Sequence, residues 1–468
     1  YLDKNIEVKL FFCLAKRDDP NAQYVKELIR RADFLILEQE IESEKSKTLH
    51  FVDGGMELAG QKISWDLGAK RDVVTDLTAN SVVAATVVAA IESGSNVGQA
   101  LLMAKFNVEN ATLHGTMTQE KLKEMIMGED YKIEEVAIPN TKEAELRENA
   151  RDIVKFPKGI LAADESGGSI HKKFESMNIA DDEQHRRDYR NIFFTTRDLE
   201  KYVNGVILFD ETARQKADDG QDFVSFLRGR GIIAGVKVDQ GLENFENSEE
   251  KYTKGLEGLR ERLAGYYDMG LRFAKWRAAF EVSENAPSEM AIEKNAEILS
   301  QYAKDCQAEG IVPIVEPELV YDGYYSIEKN AEITGRILDK LFEKLKDDGV
   351  DLLSCILKVN MVLAGKKYET QSSPSEVGVA TAKVLREHVP EELAGVVFLS
   401  GGQSVEQATE NLEAVTKNGP YSWPVTFSFA RALQDPALFA WKGDNANNDV
   451  AREAFLARLV ANSEALKV

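Results

Sequence analysis

The chain has 468 residues, of which 43% are hydrophobic and 29% charged, with a net charge of −21, the balance of an ordinary globular protein. So acidic a chain lacks the basic footprint that binding to nucleic acid or an anionic membrane surface requires. No apolar run approaches the ~18 residues of a membrane-spanning helix.

Length allows two or three domains. The three cysteines, Cys13, Cys306 and Cys355, show neither metal-ligand nor paired spacing, which points to a reducing compartment. The chain opens on Tyr1 rather than Met, so an upstream segment, with a targeting peptide as one option, is expected. Residues 8–12 and 34–37 read as parallel strands around a helix at 24–32, followed by apolar helices at 80–93 and 96–106. Charged, turn-rich sequence then reads as a linker. The expected organisation is a small α/β module over 1–117, a linker over 118–140 and a main domain over 141–468.

In the main domain, short apolar runs rich in β-branched residues recur at 159–163, 205–209, 231–236, 271–274, 311–315, 352–357, 395–399 and 425–429. Their spacing of about 30–40 residues suits βα units. The amphipathic stretches between them, such as 285–310 and 327–349, read as helices ending at a glycine. Eight buried strands alternating with helices is the α/β pattern of a (β/α)8, or TIM, barrel. An open doubly wound sheet shares the alternation, but the G-x-G-x-x-G turn that usually follows its first strand is missing.

The ends of these runs collect polar groups. Asp164 and Glu165 follow the first run, Asp210 and Glu211 the second, and Lys237 and Asp239 the third. Lys275 and Arg277 follow the fourth, Glu316 and Glu318 the fifth, Lys358 and Asn360 the sixth, Ser400-Gly-Gly402 the seventh and Arg431 the eighth. In a barrel this end of the strands carries the active site. Residues two apart on a strand share a face, so Lys275 with Arg277, and Glu316 with Glu318, point the same way.

A lysine in an apolar strand is costly unless it faces water or is used. Lys358 is therefore either an ordinary edge lysine or a nucleophile for a carbonyl, and a second cation such as Lys275 would favour its neutral amine. Glu316 or Glu318 can shuttle protons as a carbinolamine loses water, and Asp164 is a candidate base for a substrate hydroxyl. Two phosphate sites are suggested. One combines Ser400-Gly401-Gly402 with Ala430-Arg431; the other is Ser166-Gly-Gly-Ser169 with Lys172 and Lys173.

These segments resemble the class I (Schiff-base) fructose-bisphosphate aldolases. The matching motifs include Gly159-Ile-Leu-Ala-Ala-Asp-Glu-Ser166, Phe273-Ala-Lys-Trp-Arg277, Gly310-Ile-Val-Pro-Ile-Val-Glu-Pro-Glu318, Leu357-Lys358 with Asn360-Met-Val362, and Phe398-Leu-Ser-Gly-Gly-Gln-Ser404. The resemblance covers about 141–468. It implies Lys358 as the Schiff-base lysine, Glu316 as the main proton shuttle, Asp164 as the base for the C4 hydroxyl and Lys275 as its assistant. It implies Lys237 and Arg277 as substrate contacts, with Ser400, Gly401, Ala430 and Arg431 on the C1 phosphate and Ser166, Ser169 and Lys173 on the C6 phosphate. It further implies a phosphorylated sugar substrate, no metal or other cofactor, a homotetramer and a cytoplasmic location, with a plastid or other organelle left open. Val359, Ala430, Lys173 and Gln240 stand where the family usually has proline, glycine, arginine and lysine.

Residues 1–117 resemble the C-terminal half of ribokinase-like (PfkB) sugar kinases. Val73-Val-Thr-Asp-Leu-Thr-Ala-Asn-Ser81 lies where those enzymes carry D-T-x-G-A-G-D. Ser81 stands at the place of the catalytic aspartate, which implies an inactive module. Two other readings compete with an aldolase for fructose 1,6-bisphosphate: a scaffold subunit of a larger assembly, and a lysine aldolase for a related sugar phosphate.

Overall fold

The structure, a computed structural model, describes residues 36–37, 49–52, 55–58, 61–64 and 141–467. The chain divides into two units at 139/140. In the first unit Ile36–Leu37 pairs in parallel with Leu49–Val52, which continues antiparallel through Gly55–Leu58 to Gln61–Ser64. The short strand Ile36–Leu37 falls within the expected strand at 34–37. The expected elements at 8–12, 24–32, 80–93 and 96–106, the linker and Cys13 lie outside the described residues.

The second unit is a closed barrel of eight parallel strands in sequential order. They are β1 (Gly159–Ala163), β2 (Val203–Leu208), β3 (Ile233–Lys237), β4 (Phe273–Phe280), β5 (Val312–Leu319), β6 (Ile356–Val359), β7 (Gly395–Phe398) and β8 (Val425–Phe429). The helices that matter here are α1 (Thr141–Ile153), α2 (Gly167–Ser176), α3 (Glu289–Ala308), α4 (Ile327–Asp347), α5 (Val405–Lys417) and α6 (Arg431–Trp441). The eight-run rhythm holds, and the first and last runs match to the residue.

Three strands differ most from expectation, while β2, β3 and β7 shift by one or two residues and β3 takes in Lys237. β4 and β5 run through Phe280 and Leu319, so Lys275, Arg277, Glu316 and Glu318 lie inside strands rather than after them. Charged side chains broke the apolar run in the sequence, but the backbone ladder is indifferent to them: Lys275 pairs with Ile314 and Arg277 with Glu316. Conversely, Leu352–Ser354 is a 3-10 turn, and the sixth strand runs over Ile356–Val359 with Lys358 inside it. Its turn is set by the Asp351 side chain, which accepts from the Leu353 amide.

α3 and α4 end as the glycine signals suggest. Gly310 and Gly349 adopt positive φ, 79° and 71°. Ile311 and Val350 then donate back to the carbonyls of Cys306 and Leu345, a Schellman close.

Alternation sorts each strand into two faces. Leu161, Val206, Trp276, Val315, Leu357 and Phe398 join the core under the surrounding helices. Ile160, Ala162, Ile207, Phe273, Val312, Ile314, Ile356 and Val397 fill the barrel interior, together with Leu146, Ala150 and Ile153 of α1. Phe273 fits because β3 carries glycine beside it: a Cβ on Gly235 would sit 2.4 Å from its ring. The interior parity continues up the strands, from Ile160 and Ala162 to Asp164, from Phe273 to Lys275 and Arg277, from Ile314 to Glu316 and Glu318, and from Ile356 to Lys358. A dry floor thus changes within one or two residues into a charged mouth.

Candidate active site

Four ionisable side chains meet at that mouth. Lys275 Nζ lies 2.7 Å from Asp164 Oδ2 and 3.1 Å from Glu316 Oε2. The other Glu316 oxygen lies 3.1 Å from Lys358 Nζ. The result is an alternating row, Asp164–Lys275–Glu316–Lys358, drawn from β4, β5, β6 and the end of β1. Each member is 9% exposed or less. Charges so buried persist only because each has an opposite partner.

The electrostatics follow from that row. Burial pushes the Asp164 carboxyl up, but Lys275 and then Lys358 outweigh it and hold the group at about 2. Burial likewise works against ionised Glu316, and Lys275 and then Lys358 reverse it, so the carboxyl lies below its usual range. Lys275 is disfavoured as a cation by burial, yet Asp164, Glu316 and Asp239 raise its pKa well above the ordinary lysine value. Lys275 is thus fixed as an ammonium between carboxylates. Lys358, among the described residues, has one carboxylate within ion-pair distance, Glu316.

The remaining predicted residues surround this row. Lys237 Nζ is held by Asp239, 2.5 Å from Oδ1 and 2.9 Å from its carbonyl. Arg277 Nε lies 2.5 Å from Glu318 Oε2; burial lowers its pKa, but Glu318 more than compensates. Asn360 extends the β5–β6 pairing beyond Lys358, as its amide accepts from the Leu319 N–H at 2.8 Å and donates to the Leu319 carbonyl at 3.1 Å. Val359 is buried in β6, opposite Phe398, so a strand residue occupies the position after the lysine. Asp210 and Glu211 do not join the charged row, although Asp210 lines the cavity beside it. Asp210 pairs with Arg214 and Tyr266, and Glu211 with Arg186.

The helix N-termini separate into two classes. α3, α4 and α5 are capped by their own serines, Ser288, Ser326 and Ser404, the last in a full capping box with Gln407. α2 and α6 begin at Ser166 and Ala430 with no cap from that residue's own side chain, as do Leu259–Asp268 and Asn448–Ala465, so no N-cap side chain competes with an anion there. The starts of α2 and α6 are the expected phosphate loci. At the first, Ser166 and Ser169 bring their hydroxyls to 3.5 Å of each other. At the second, buried Ser400 accepts from the Ala432 amide at 3.5 Å, and the Arg431 guanidinium borders Gly401. Ala430 sits at φ −102°, so no glycine is required there. The loop glycine that does need its freedom is Gly402, at φ +83° with the Tyr321 ring against it. A cavity of about 930 Å³ opens on the β1–β3 side of the mouth, lined by Ser166, Lys237, Asp239, Gln240, Arg262 and Tyr266.

Arg190 and Asp435 escaped sequence reasoning, as did the pairing role of Glu165. Lys173 is held by Glu165 at 2.8 Å and Asp435 at 3.4 Å. Glu165 also pairs with buried Arg190 at 2.8 Å; burial raises its carboxyl, and Arg190, then Lys173, bring it below the usual range. Glu165 was visible at a strand end, but nothing in spacing links it to Arg190 or Asp435.

Comparison with known proteins agrees with this geometry. The family model for class-I fructose-bisphosphate aldolase matches residues 145–468. The chain is 46% identical over 323 residues to fructose-bisphosphate aldolase 4, cytosolic, of Arabidopsis thaliana, covering 69% of this chain and 82% of that protein. It is 45% identical over 324 residues to fructose-bisphosphate aldolase 1 of Toxoplasma gondii, covering 69% and 89%. Among solved structures, a fructose-bisphosphate aldolase from Plasmodium falciparum in complex with TRAP and a small-molecule inhibitor is similar with a TM-score of 0.69 at 43% identity, covering 70% of this chain and 95% of that one. An eight-stranded parallel barrel, a buried lysine–carboxylate row at its mouth and these matches together establish that the chain belongs to the class I fructose-bisphosphate aldolase family.

Proposed function

We propose that this chain is a lyase that reversibly cleaves fructose 1,6-bisphosphate to dihydroxyacetone phosphate and glyceraldehyde 3-phosphate through a Schiff base on Lys358. The observation that carries this reading is the Asp164–Lys275–Glu316–Lys358 row. Two buried lysines share it, and they differ: Lys275 is committed to two carboxylates at 2.7 and 3.1 Å, while Lys358 touches one. That difference supports Lys358 as nucleophile and Lys275 as the positioned cation.

In this reading the Lys358 amine adds to the C2 carbonyl, giving a carbinolamine. Glu316, ionised and 3.1 Å from Nζ, takes up the protons that the nitrogen gives up and passes them to the C2 oxygen, which leaves as water to form an iminium. Asp164, ionised at neutral pH because its pKa is about 2, accepts the C4 hydroxyl proton with Lys275 beside it. The C3–C4 bond then breaks, its electron pair passes into the iminium to give an enamine, and the aldehyde departs. Protonation at C3 and addition of water return the amine and release dihydroxyacetone phosphate. Glu318 serves by fixing Arg277, and Lys237 and Arg277 contact substrate. Ser400, Gly401, Ala430 and Arg431 take the C1 phosphate at the start of α6, and Ser166, Ser169 and Lys173 the C6 phosphate at the start of α2.

The same reading carries a homotetramer acting in cytoplasmic glycolysis and gluconeogenesis. Residues 1–117 are a non-catalytic sugar-kinase-like module followed by a linker over 118–140, supported by Ser81 at the place of the catalytic aspartate. Among the described residues no helix is long and apolar enough to cross a membrane.

The test is covalent trapping. Borohydride with dihydroxyacetone phosphate labels Lys358, and Lys358→Ala abolishes both label and turnover. An unlabelled wild-type protein, or a label on another lysine, sinks the assignment.

A further inference from the structure

The N-terminal ends of α2 and α6 are linked through the Asp435 side chain. Asp435 lies one turn after Arg431 on α6, and its Oδ1 is 3.4 Å from Nζ of Lys173 on α2. Lys173 in turn lies one turn after Ser169. Side chains on a helix lean toward its N-terminus, so its ammonium is directed toward the end where Ser166, Ser169 and the first-turn amides stand. That end is open, since nothing lies within 4 Å of a Cβ built on Gly167 or Gly168.

Lys173 is nevertheless committed. Glu165 Oε1 lies 2.8 Å from its Nζ, and the other Glu165 oxygen lies 2.8 Å from Arg190. Lys173, Arg190, Glu165 and Asp435 therefore form a neutral set of two cations and two anions. Glu165 is needed by both cations. Asp435 is the supernumerary anion: without it the set carries one net positive charge at the helix end. Side-chain exposures of 17% for Lys173 and 27% for Asp435 keep solvent from fully screening the pair.

We propose that Asp435 is a specificity-determining residue: as a second counterion on Lys173, it competes with the distal phosphate of a bisphosphate and leaves the proximal phosphate untouched. The proposal rests on the phosphate loci assigned under Proposed function. A phosphate arriving at Ser166 and Ser169 must draw Lys173 away from Asp435 or share it, so affinity for the second phosphate is lower than the helix end alone would give. The residue thereby sets how strongly bisphosphates are preferred over monophosphates.

The experiment titrates hexitol 1,6-bisphosphate and hexitol 1-phosphate calorimetrically into the full chain, the Asp435→Asn variant, Lys173→Met and the double variant. Asp435→Asn is expected to tighten the bisphosphate on the order of fivefold, the scale of one partly exposed ion pair, and to leave the monophosphate unchanged. The gain disappears when Lys173 is methionine. The KM for fructose 1,6-bisphosphate falls in parallel, with kcat unchanged. Equal tightening of both compounds, no tightening, or a gain that persists without Lys173 overturns the proposal alone. A wild-type protein that binds neither compound overturns the functional reading and this proposal together.

Discussion

Replacing Lys275 with methionine tests the central row most directly, because the change keeps the stem and removes only the charge. The wild-type ammonium lies 2.7 Å from Asp164 and 3.1 Å from Glu316, and all three side chains are nearly excluded from water. Without it, Asp164 loses its ion-pair partner and Glu316 keeps only Lys358 at 3.1 Å. Breaking a buried pair by removing one partner typically costs about 3–5 kcal/mol. Linkage gives an independent check: lowering Asp164 from 3.8 to about 2 corresponds to about 2 kcal/mol for that carboxylate alone. A loss of about 3 kcal/mol at pH 7 is therefore expected.

The sign of the pH dependence follows from the same shift. In the wild type the Asp164 contribution is complete above 3.8 and is lost as pH falls through about 2. In the variant, burial dominates and the carboxyls take up protons at higher pH, which relieves the penalty. The stability difference must therefore shrink between pH 7 and pH 4. Urea unfolding at both values, followed by tryptophan emission, measures it; Trp276 is fully buried next to Lys275 on β4. A difference below ~1 kcal/mol at pH 7, or one that does not change with pH, would refute the reasoning.

Two further outcomes follow from packing. Gly402→Ala places a Cβ about 2.1 Å from the Tyr321 ring at φ +83°, so it should destabilise by about 2 kcal/mol and raise KM for phosphorylated substrate more than it lowers kcat; steady-state kinetics with unchanged KM would contradict this. Cys306 and Cys355 are buried free thiols, and burial, the largest cause for each, raises both above the ordinary thiol value, Cys355 to about 12. In the native barrel they should resist a thiol reagent at pH 8 and react only on denaturation; rapid labelling of either, located by mass spectrometry, would show the site to be open.

Much of the chemistry was legible in sequence because it is written in short periods. A run of β-branched residues every 30–40 positions specifies the strands, and the two-residue alternation of a strand specifies which side chains share a face. Lys275 with Arg277, and Glu316 with Glu318, could therefore be paired before any fold was known. Strand ends were harder to read. β4 and β5 continue through their charged residues because backbone pairing needs only N–H and C=O groups, while the reading of the sequence relied on apolar side chains.

Local pattern alone determined the barrel, the floor built from Ile160, Ile314 and Ile356, and the ring of ionisable residues above it. Tertiary structure decided which of those charges met. Asp164 follows β1 and Lys275 stands on β4, 111 positions apart in the chain, yet barrel closure brings them to 2.7 Å. Closure likewise gave Lys275 two carboxylates and Lys358 one, and drew Glu165, Arg190, Lys173 and Asp435 into one neutral set. Hydrophobic periodicity states which face a residue occupies. It carries no information about what lies across the barrel, and for buried charges the partner across the barrel determines protonation and role.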